Sequence, residues 1–375
     1  MPMLVIVQPW FSTLGHPAQS LINTAKIISN TPDITYLISM QVGSNKLDGF
    51  RNQLIQFGDV VEYPVKTTST REGTWKALWY LRMLASKRRV KVNSVFFFDA
   101  HLVLLSILWP LTSFFLKPDQ LSVINLMGPE RIFRSKIATW FVRRFLKRKE
   151  VYLYLRTEEL MLSWQEGFPD IPIKKIKYLI SLEIPDTDVY TTPAADVELK
   201  FGIIGQVRKG KGLEWIVPMF KKNGTIGRLT VAGTFNNDAD RERMAELQDF
   251  SGFNNKYLSE SELLLESTKQ DYLLVLYEDW DSRMESAVVY LAARVNRPVI
   301  VYDNGWCGRI IRKFGNGLFA PNDQASMPEF LSNLPRPGSA DYNKLLEGVT
   351  LFRQANSGEV VRKAFLNAIN TNYVS

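Results

Sequence analysis

Residues 201–212, FGIIGQVRKGKG, combine an apolar run, a glycine-rich turn and three cations. The amphipathic run LEWIVPMFKK follows directly, so the order predicts a strand that ends in a turn and opens a helix. Such a turn directs backbone N–H groups and the positive end of a helix dipole at an anion, and Arg208, Lys209 and Lys211 add charge. The spacing is neither that of a Walker loop nor that of the G-x-G-x-x-G fingerprint. Phosphate binding is one interpretation, and a solvated basic loop is the other.

A series of short motifs follows this turn in the chain. They are LSESEL at 258–263, DYLLVLY at 271–277, PVI at 298–300 and GNGLF at 315–319. Together with the glycine turn, the series resembles the donor-binding domain of GT-B glycosyltransferases and covers most of residues 200–323. The resemblance implies an α/β protein of two Rossmann-like, doubly wound parallel-sheet domains that face a central cleft. It also implies a nucleotide diphosphate sugar as the donor substrate.

The resemblance further implies a set of donor contacts in the second half of the chain: Gly205, Gln206, Arg208, Lys211, Tyr257, Glu285 and Ser286. Lys211 takes the place of the family's lysine that contacts the donor diphosphate. Gln206 is a departure, because family members often carry Arg directly after the first glycine. Arg208, two residues later, supplies a charge that compensates for it.

A second departure concerns the stretch before Pro298. Many retaining members carry an E-x7-E pattern there, but the matching positions hold Arg283 and Leu291. Glu285 and Ser286 instead fit the register of some bacterial polysaccharide mannosyltransferases, in which a small residue follows. Ser286 would then begin a helix that points at the diphosphate, or it would serve as an ordinary helix N-cap.

Three residues of the first half are candidates for chemistry on the acceptor. If the transfer inverts the sugar, a general base must take the proton of the attacking hydroxyl. Asp99 and His101 follow the strand-like run VFFF, and His16 lies in the loop after the first predicted strand. We predict catalytic roles for these three, with structural roles as the alternative. No metal-ligand spacing is evident, and GT-B proteins generally bind donors without an obligatory metal, so we expect no metal and no cofactor.

The length of 375 residues suits two domains. We predict an N-terminal acceptor-binding domain at 1–190 and a C-terminal donor-binding domain at 196–355. The resemblance implies that a last helix, within 356–375, packs back toward the first domain. Residues 183–198, which are rich in Pro, Thr and Asp, are the predicted linker. The single cysteine excludes an internal disulfide.

Apolar runs separated by helical periods predict a parallel sheet with helices on both faces. The predicted strands of the first half are Leu4–Gln8, Ile34–Ser39, Val60–Tyr63, Val95–Asp99, Ser122–Leu126, Val151–Leu155 and Lys177–Ser181. The predicted helices are Pro17–Ser29, Glu72–Lys87, Ser135–Lys149 and Glu158–Gln165, with two more near 339–355 and 358–372.

The net charge of +8 lies entirely in the first half, because residues 1–188 hold 24 Lys and Arg against 16 Asp and Glu, and the rest holds 22 of each. Residues 131–150 interleave apolar side chains with eight cations, which predicts a basic amphipathic helix. We expect Trp140, Arg143, Arg144, Lys147 and Arg148 to contact an anionic membrane surface. A core helix with a basic outer face is the alternative. Nucleic-acid binding is not expected, because no recognised motif accompanies the charge.

The longest apolar stretch, 102–116, is shorter than the ~20 residues of a transmembrane helix and contains Pro110. It predicts a buried pair of helices, with a shallow membrane-dipping element as the alternative. The N-terminus lacks the pattern of a signal peptide.

These observations predict a bacterial glycosyltransferase of exopolysaccharide biosynthesis that moves a sugar from a nucleotide diphosphate to a lipid-linked or polysaccharide acceptor. We expect it in the cytoplasm, peripheral on the inner face of the cytoplasmic membrane. Two alternatives stay open, and the two departures motivate the second of them. One is a sugar-nucleotide epimerase of the same fold, and the other is a degenerate, non-catalytic partner in polysaccharide assembly.

Overall fold

The computed structural model describes residues 3–11, 17–28, 34–41, 48–66, 69–88, 92–180, 182–185, 198–224, 226–278 and 281–369. The chain divides into two compact units. Unit 1 comprises Met1–Glu183 and Gly358–Ser375, and unit 2 comprises Ile184–Ser357. His16 and most of the predicted linker, 183–198, lie outside the described residues.

Unit 1 is built on a seven-strand parallel sheet of order β3-β2-β1-β4-β5-β6-β7. Its strands are β1 (Met3–Gln8), β2 (Ile34–Gln41), β3 (Asp59–Val65), β4 (Val92–Phe98), β5 (Gln120–Asn125), β6 (Val151–Leu155) and β7 (Ile176–Tyr178). The near-continuous burial of β1, β4 and β5 is what a sheet covered on both faces requires. The alternation predicted from the sequence is confirmed, with shifts of up to three residues at strand ends.

Eight helices of the described chain belong to unit 1. They are α1 (Pro17–Ile27), α2 (Asp48–Leu54), α3 (Thr70–Arg88), α4 (Leu102–Leu116), α5 (Glu130–Phe133), α6 (Lys136–Leu146), α7 (Glu158–Gly167) and α16 (Gly358–Ile369). Helices α1 and α16 pack together on one face of the sheet. The chain reverses its direction across the sheet after β3, so right-handed crossovers place α3, α4 and α6 side by side on the other face.

An aromatic cluster joins α16 to the centre of this sheet. The Phe96 and Phe365 rings lie 5.2 Å apart, and Phe98 stacks on Phe365 at 6.0 Å. The backbone carbonyl of Ala368 accepts a hydrogen bond from the Ser122 hydroxyl at 2.6 Å. These contacts make the last helix part of unit 1, although more than 170 residues of unit 2 separate it from β7 in the sequence.

Unit 2 contains a six-strand parallel sheet of order β10-β9-β8-β11-β12-β13 within the described residues. Its strands are β8 (Lys200–Ile204), β9 (Arg228–Ala232), β10 (Phe253–Asn254), β11 (Tyr272–Val275), β12 (Val299–Val301) and β13 (Gly317–Phe319). Its helices are α8 (Leu213–Lys222), α9 (Asp238–Arg243), α10 (Ala245–Gln248), α11 (Glu260–Thr268), α12 (Ala287–Arg294), α13 (Gly305–Phe314), α14 (Met327–Ser332) and α15 (Ala340–Ala355).

The two sheets are doubly wound, because each has a point where the strand order reverses. In unit 2 this point lies between β8 and β11, which pair directly although β9 and β10 separate them in the chain. Ligands of open parallel sheets bind beyond the carboxyl ends of the strands at such a point. The end of β8 is where the glycine turn begins.

The apolar stretch 102–116 forms one continuous helix, α4, so the prediction of a helix pair was wrong. Pro110 lies inside this helix and removes one backbone donor. The helix continues because Leu105, Trp109 and Leu116 are all buried along one side, and their packing offsets the cost. Among the described residues, no helix is long and apolar enough to span a membrane.

Candidate functional site

The glycine turn leaves β8 in a backbone conformation that only glycine adopts freely. Gly205 has φ +99°, and Gly212, which is the N-cap residue of α8, has φ +71°. A side chain at Gly212 would also approach the Leu276 carbonyl oxygen at 3.3 Å. The glycines therefore allow the turn to reverse tightly and to pack against the end of β11.

The loop after β9, residues 233–237, and the first turn of α9 hold the turn from one side. The Val207 N–H donates to the Thr234 carbonyl at 2.8 Å, and the Lys209 N–H donates to Asp240 Oδ1 at 2.9 Å. The side-chain amide of Gln206 donates to Asn236 Oδ1 at 2.7 Å. The side chain of Gln206 thus ties the glycine turn to the loop after β9 by a hydrogen bond.

The end of β11 holds the turn from the other side. The Glu278 N–H donates to the Gly210 carbonyl at 2.9 Å, and the Trp215 indole N–H donates to Glu278 Oε1 at 2.6 Å. Glu278, which does not match the family's E-x7-E register, therefore positions the start of α8. Hydrogen bonds within the protein therefore hold the turn from both sides.

Lys211 lies within this fixed turn, with a side chain only 7% exposed. Burial, with a smaller contribution from the positive charge of Arg208, lowers its pKa from the ordinary 10.5 to about 7. Within the described part of the chain, its ammonium has no ion-pair partner. Burying an unpaired charge is costly, so an anion bound at this turn would restore the protonated form.

Tyr277 and Ser286 connect the end of β11 to the start of α12. Their hydroxyl oxygens lie 3.0 Å apart, and Ser286 is buried. The Arg208 guanidinium lies 5.8 Å from the centre of the Tyr277 ring. Arg208 is thereby kept beside Lys211 on the same edge of the sheet. Tyr277 was missed as a site residue in the sequence, although it ends the predicted DYLLVLY strand.

Three helices begin at this edge without a side-chain cap: α8 at Gly212, α12 at Ser286 and α13 at Asn304. In the same unit, side chains cap α9, α11 and α15, through Asn237, Ser259 and Ser339, whereas α10 and α14 also begin without a side-chain cap. The first N–H groups of a helix need acceptors, and an anion can supply them. Ser286 is therefore not the ordinary N-cap considered as the alternative. The uncapped starts of α8 and α12, with Lys211 and Arg208, give this edge the chemistry of a phosphate site.

A small pocket opens between the ends of β11 and β12. Tyr277, Ser282, Tyr302, Asn304 and Cys307 are among the residues that line it. The Trp306 N–H donates to the Ser282 carbonyl at 2.7 Å, which fixes the start of α13 against this loop. Nothing in the sequence singled out this pocket, because its residues come from two separate loops and from helix α13.

The two remaining predicted donor contacts have different surroundings. Glu285 accepts a hydrogen bond from the Tyr290 hydroxyl at 3.2 Å, one turn into α12. Tyr257 precedes α11 and is largely exposed. No hydrogen bond or ring contact links Tyr257 to the glycine turn within the described ranges. Both remain predictions.

Asp99 stands at the carboxyl end of β4 in unit 1, with φ +50°. A non-glycine residue in this left-handed region stores strain, which is common at functional sites. Burial raises the pKa of its carboxyl from 3.8 to about 6, although the positive charge of Arg156 opposes the shift. A strained, buried carboxyl with a pKa near neutrality suits a general base.

His101, two residues after Asp99, has a structural role. Its Nδ1 accepts the Leu104 N–H at 3.3 Å and so caps α4, while the backbone N–H of His101 donates to the Thr74 hydroxyl at 3.0 Å. Burial lowers the pKa of the imidazole, which favours the neutral form that can accept this hydrogen bond. His16 lies outside the described residues, and its role stays a prediction.

The predicted membrane residues of α6 and of the two positions after it divide into two groups. Trp140 is exposed, and the Arg144 guanidinium lies 5.5 Å from its ring centre. Arg143 and Lys147 both pair with Asp170, at 3.4 and 2.7 Å, but stay on the surface. Arg148 turns inward instead: it pairs with Glu150 at 2.7 Å and donates to the Ser113 hydroxyl at 2.9 Å. These contacts give Arg148 a structural role, and its expected membrane contact stays a prediction.

Across the described ranges, no group of three or more His, Cys, Asp or Glu side chains is arranged to hold a metal ion. Metal-independent donor binding remains a prediction.

No family model matches the sequence, and no curated protein matches it significantly. Solved structures do match in fold. A glycosyltransferase from Rickettsia africae ESF-5 has a TM-score of 0.71 at 12% identity and covers 98% of this chain and 97% of its own. HepE of Anabaena in complex with UDP has a TM-score of 0.70 at 10% identity, with coverage of 98% and 99%. WaaG, a glycosyltransferase involved in lipopolysaccharide biosynthesis, has a TM-score of 0.64 at 11% identity, with coverage of 98% and 100%.

At these identities the likeness is one of fold, and it extends over nearly the whole chain. The two doubly wound parallel sheets are those of the GT-B fold of glycosyltransferases, as the sequence motifs predicted.

Proposed function

We propose that this protein is a glycosyltransferase that moves a sugar from a nucleoside diphosphate donor to an acceptor hydroxyl. The observation that carries the proposal is Lys211, a buried lysine without an ion-pair partner among the described residues. It lies in a glycine turn that opens an uncapped helix. A donor diphosphate supplies the missing negative charge. The fold and the solved complexes of HepE with UDP and UDP-glucose make UDP-sugars the first donors to test.

The chemistry follows from where charge develops. As the bond from sugar to diphosphate breaks, negative charge grows on the leaving phosphate oxygen. Lys211, Arg208 and the first N–H groups of α8 and α12 are donors held in place before the reaction, so they stabilise that charge without reorganising. The hydrogen bonds of the turn to Glu278 and Asp240 provide this preorganisation.

On the acceptor side, Asp99 is the proposed general base. Above a pH of about 6 its carboxyl is ionised and can accept the proton of the attacking hydroxyl. This role requires an inverting transfer, and the absence of an E-x7-E pair is consistent with that stereochemistry. His101 is better explained as the cap of α4.

The acceptor that we propose is lipid-linked or polysaccharide, at the cytoplasmic face of the membrane. Support comes from the basic, partly aromatic outer surface of α6 in unit 1. A polysaccharide or glycolipid pathway is consistent with WaaG among the proteins of similar fold.

Donor turnover tests the proposal against its two alternatives. The protein is incubated with a panel of UDP-, GDP- and dTDP-sugars, with and without membrane extract, and the released nucleoside diphosphate and sugar products are measured. Acceptor-dependent release of diphosphate supports a transferase. Conversion of the donor sugar without acceptor indicates an epimerase, and binding without turnover indicates a non-catalytic partner.

A further inference from the structure

Three neighbouring helices of unit 1 form a layer whose outer surface is apolar. Helix α4 lies between α3 and α6 and contacts both. Arg82 of α3 donates to the Thr112 hydroxyl of α4 at 3.0 Å. From the side of α6, Arg148 donates to the Ser113 hydroxyl of α4. The outer faces of the three helices are therefore parts of one surface.

This surface, which we call the α3–α4–α6 face, carries large apolar side chains that are between 42% and 72% exposed. They are Trp75, Trp79, Ile107, Leu111, Phe114, Phe115, Ile137 and Trp140. Their spacings of three and four residues place them on the outer stripe of each helix. The opposite side of α4, including Trp109, is buried against the domain. Helix α4 is thus apolar on both its inner and its outer side and contains no charged residue.

An outer helix of a water-soluble α/β domain normally presents polar side chains to solvent. Exposed apolar patches of this extent mark surfaces that contact a partner or a lipid phase. Three of the eight side chains are tryptophans, whose amphipathic rings favour the boundary between headgroups and acyl chains.

The charge of the same helices indicates which partner covers the face. Together α3 and α6 contain eight Lys and Arg but one acidic residue, Glu72, and α4 contains no charge. Glu72 is already paired with Lys76 at 3.0 Å. A second copy of this chain would bring two basic surfaces together, which is unfavourable. An anionic lipid surface complements the charge and accommodates the aromatic rings at once.

We propose that the α3–α4–α6 face inserts its apolar side chains into one leaflet of an anionic membrane, with α4 parallel to the surface. Phe114 and Phe115 are the deepest anchors, since they are among the most exposed and no charge precedes them on α4. The partner of this face is thus the bilayer itself, rather than its headgroups alone. Membrane insertion deepens the proposed function and rests on it for the reason why the protein contacts a membrane. A lipid-linked acceptor must be reached from the membrane surface.

The experiment compares the wild type with Phe114→Ser/Phe115→Ser in co-sedimentation with vesicles of phosphatidylglycerol and phosphatidylcholine. The matched control is Ile173→Ser, which removes an equally exposed apolar side chain of unit 1 outside the three helices. We expect wild type and control to bind at low salt and to retain part of the binding at high salt, because insertion is not screened. The double variant should lose at least about tenfold in vesicle affinity. Brominated acyl chains should quench tryptophan fluorescence in the wild type more than in the double variant.

Equal vesicle binding by wild type and double variant would overturn the inference, as would no binding by the wild type. A dimer of the wild type in solution that becomes monomeric in the double variant would assign the face to a second copy instead. UDP-glucose binding, measured on the same samples, separates this test from the proposed function. Loss of vesicle binding with normal nucleotide binding supports the inference, whereas vesicle binding without nucleotide binding contradicts only the proposed donor.

Discussion

The hydroxyl oxygens of Tyr277 and Ser286 lie 3.0 Å apart, across a loop of eight intervening residues. Because Ser286 uses its side chain for this contact, it leaves the first N–H groups of α12 without a side-chain acceptor. The same tyrosine ring lies beneath the Arg208 guanidinium. One pair of hydroxyls thus links a cation, a helix start and the end of β11 at the edge where we place the donor diphosphate.

We expect Tyr277→Phe and Ser286→Ala to be coupled. Each change removes one partner of the same buried hydrogen bond, so the second change should cost little once the first is made. Urea unfolding of the two single variants and the double variant should give an interaction energy of about 1 kcal/mol. Additive effects would show that the two hydroxyls act independently.

Gly233→Ala should destabilise unit 2 and disturb the donor turn. Gly233 has φ +147°, and a β-carbon there would lie 2.0 Å from the Gly205 carbonyl oxygen. The turn must move to relieve the overlap, so we expect a loss of about 1–3 kcal/mol in unfolding free energy and weaker UDP-glucose binding. Gly224→Ala is the matched control, since nothing lies within 4 Å of a β-carbon there. A change as mild in Gly233→Ala as in the control would contradict the packing described.

Donor binding should be coupled to proton uptake by Lys211. In the free protein its pKa is about 7, so at pH 8 the amine is mostly neutral, and a bound diphosphate favours the ammonium. Affinity should then fall as pH rises above 7, by up to about tenfold per unit. Calorimetric titration with UDP-glucose at pH 8 in two buffers of different ionisation enthalpy should show about one proton taken up. Lys211→Met should abolish that uptake, and the same uptake in the variant would assign the proton to another group.

The folded protein should become more stable between pH 7 and 10.5 for the same reason. The pKa of Lys211 is lowered on folding, so the unfolded chain binds more protons across that window, and the cost of holding the amine neutral fades as pH rises.

Asp99→Asn should raise stability while abolishing transfer. The carboxyl pKa is raised from 3.8 to about 6, so the folded state loses stability as pH rises through that window, and the full cost is present above pH 6. Asparagine is neutral and tolerates the left-handed backbone, so we expect a gain of about 1–3 kcal/mol at pH 7, where the wild type holds a buried carboxylate. Turnover should fall by about 10²–10⁴-fold with donor binding unchanged. A fully active variant would assign the base elsewhere, and a destabilised variant would contradict the cost of the buried carboxylate.

Much of the fold follows from local patterns in the sequence. The glycine turn, the strands of unit 1 and the helices near 339–355 and 358–372 all lie within a few residues of their predicted places. Lys211 was identified because the order of strand, glycine turn and helix is itself local. Such features depend on neighbours within about ten residues, which a single sequence displays.

Features that depend on distant packing could not be predicted. The pairing of Arg143 and Lys147 with Asp170 joins residues more than twenty positions apart. The exposure of α4 is a similar case: an uncharged, apolar run predicts burial, and only the position of the helix in the outer layer leaves Phe114 and Phe115 in solvent. The contact between the Ser286 and Tyr277 hydroxyls likewise joins residues at the two ends of a long loop.

The most direct test of the donor site is calorimetric titration of UDP-glucose into the wild type and Lys211→Ala at pH 7. If Lys211 binds the diphosphate, the variant should lose roughly 1.5–3 kcal/mol of binding free energy, the value of a hydrogen bond to a charged group. Its thermal unfolding should show an intact fold, since removing a buried amine that carries an unpaired charge costs little. Arg228→Ala, which removes an exposed cation at the opposite end of the sheet, serves as control. Equal affinity of Lys211→Ala and wild type, with both folded, would contradict the assignment of this turn as the donor site.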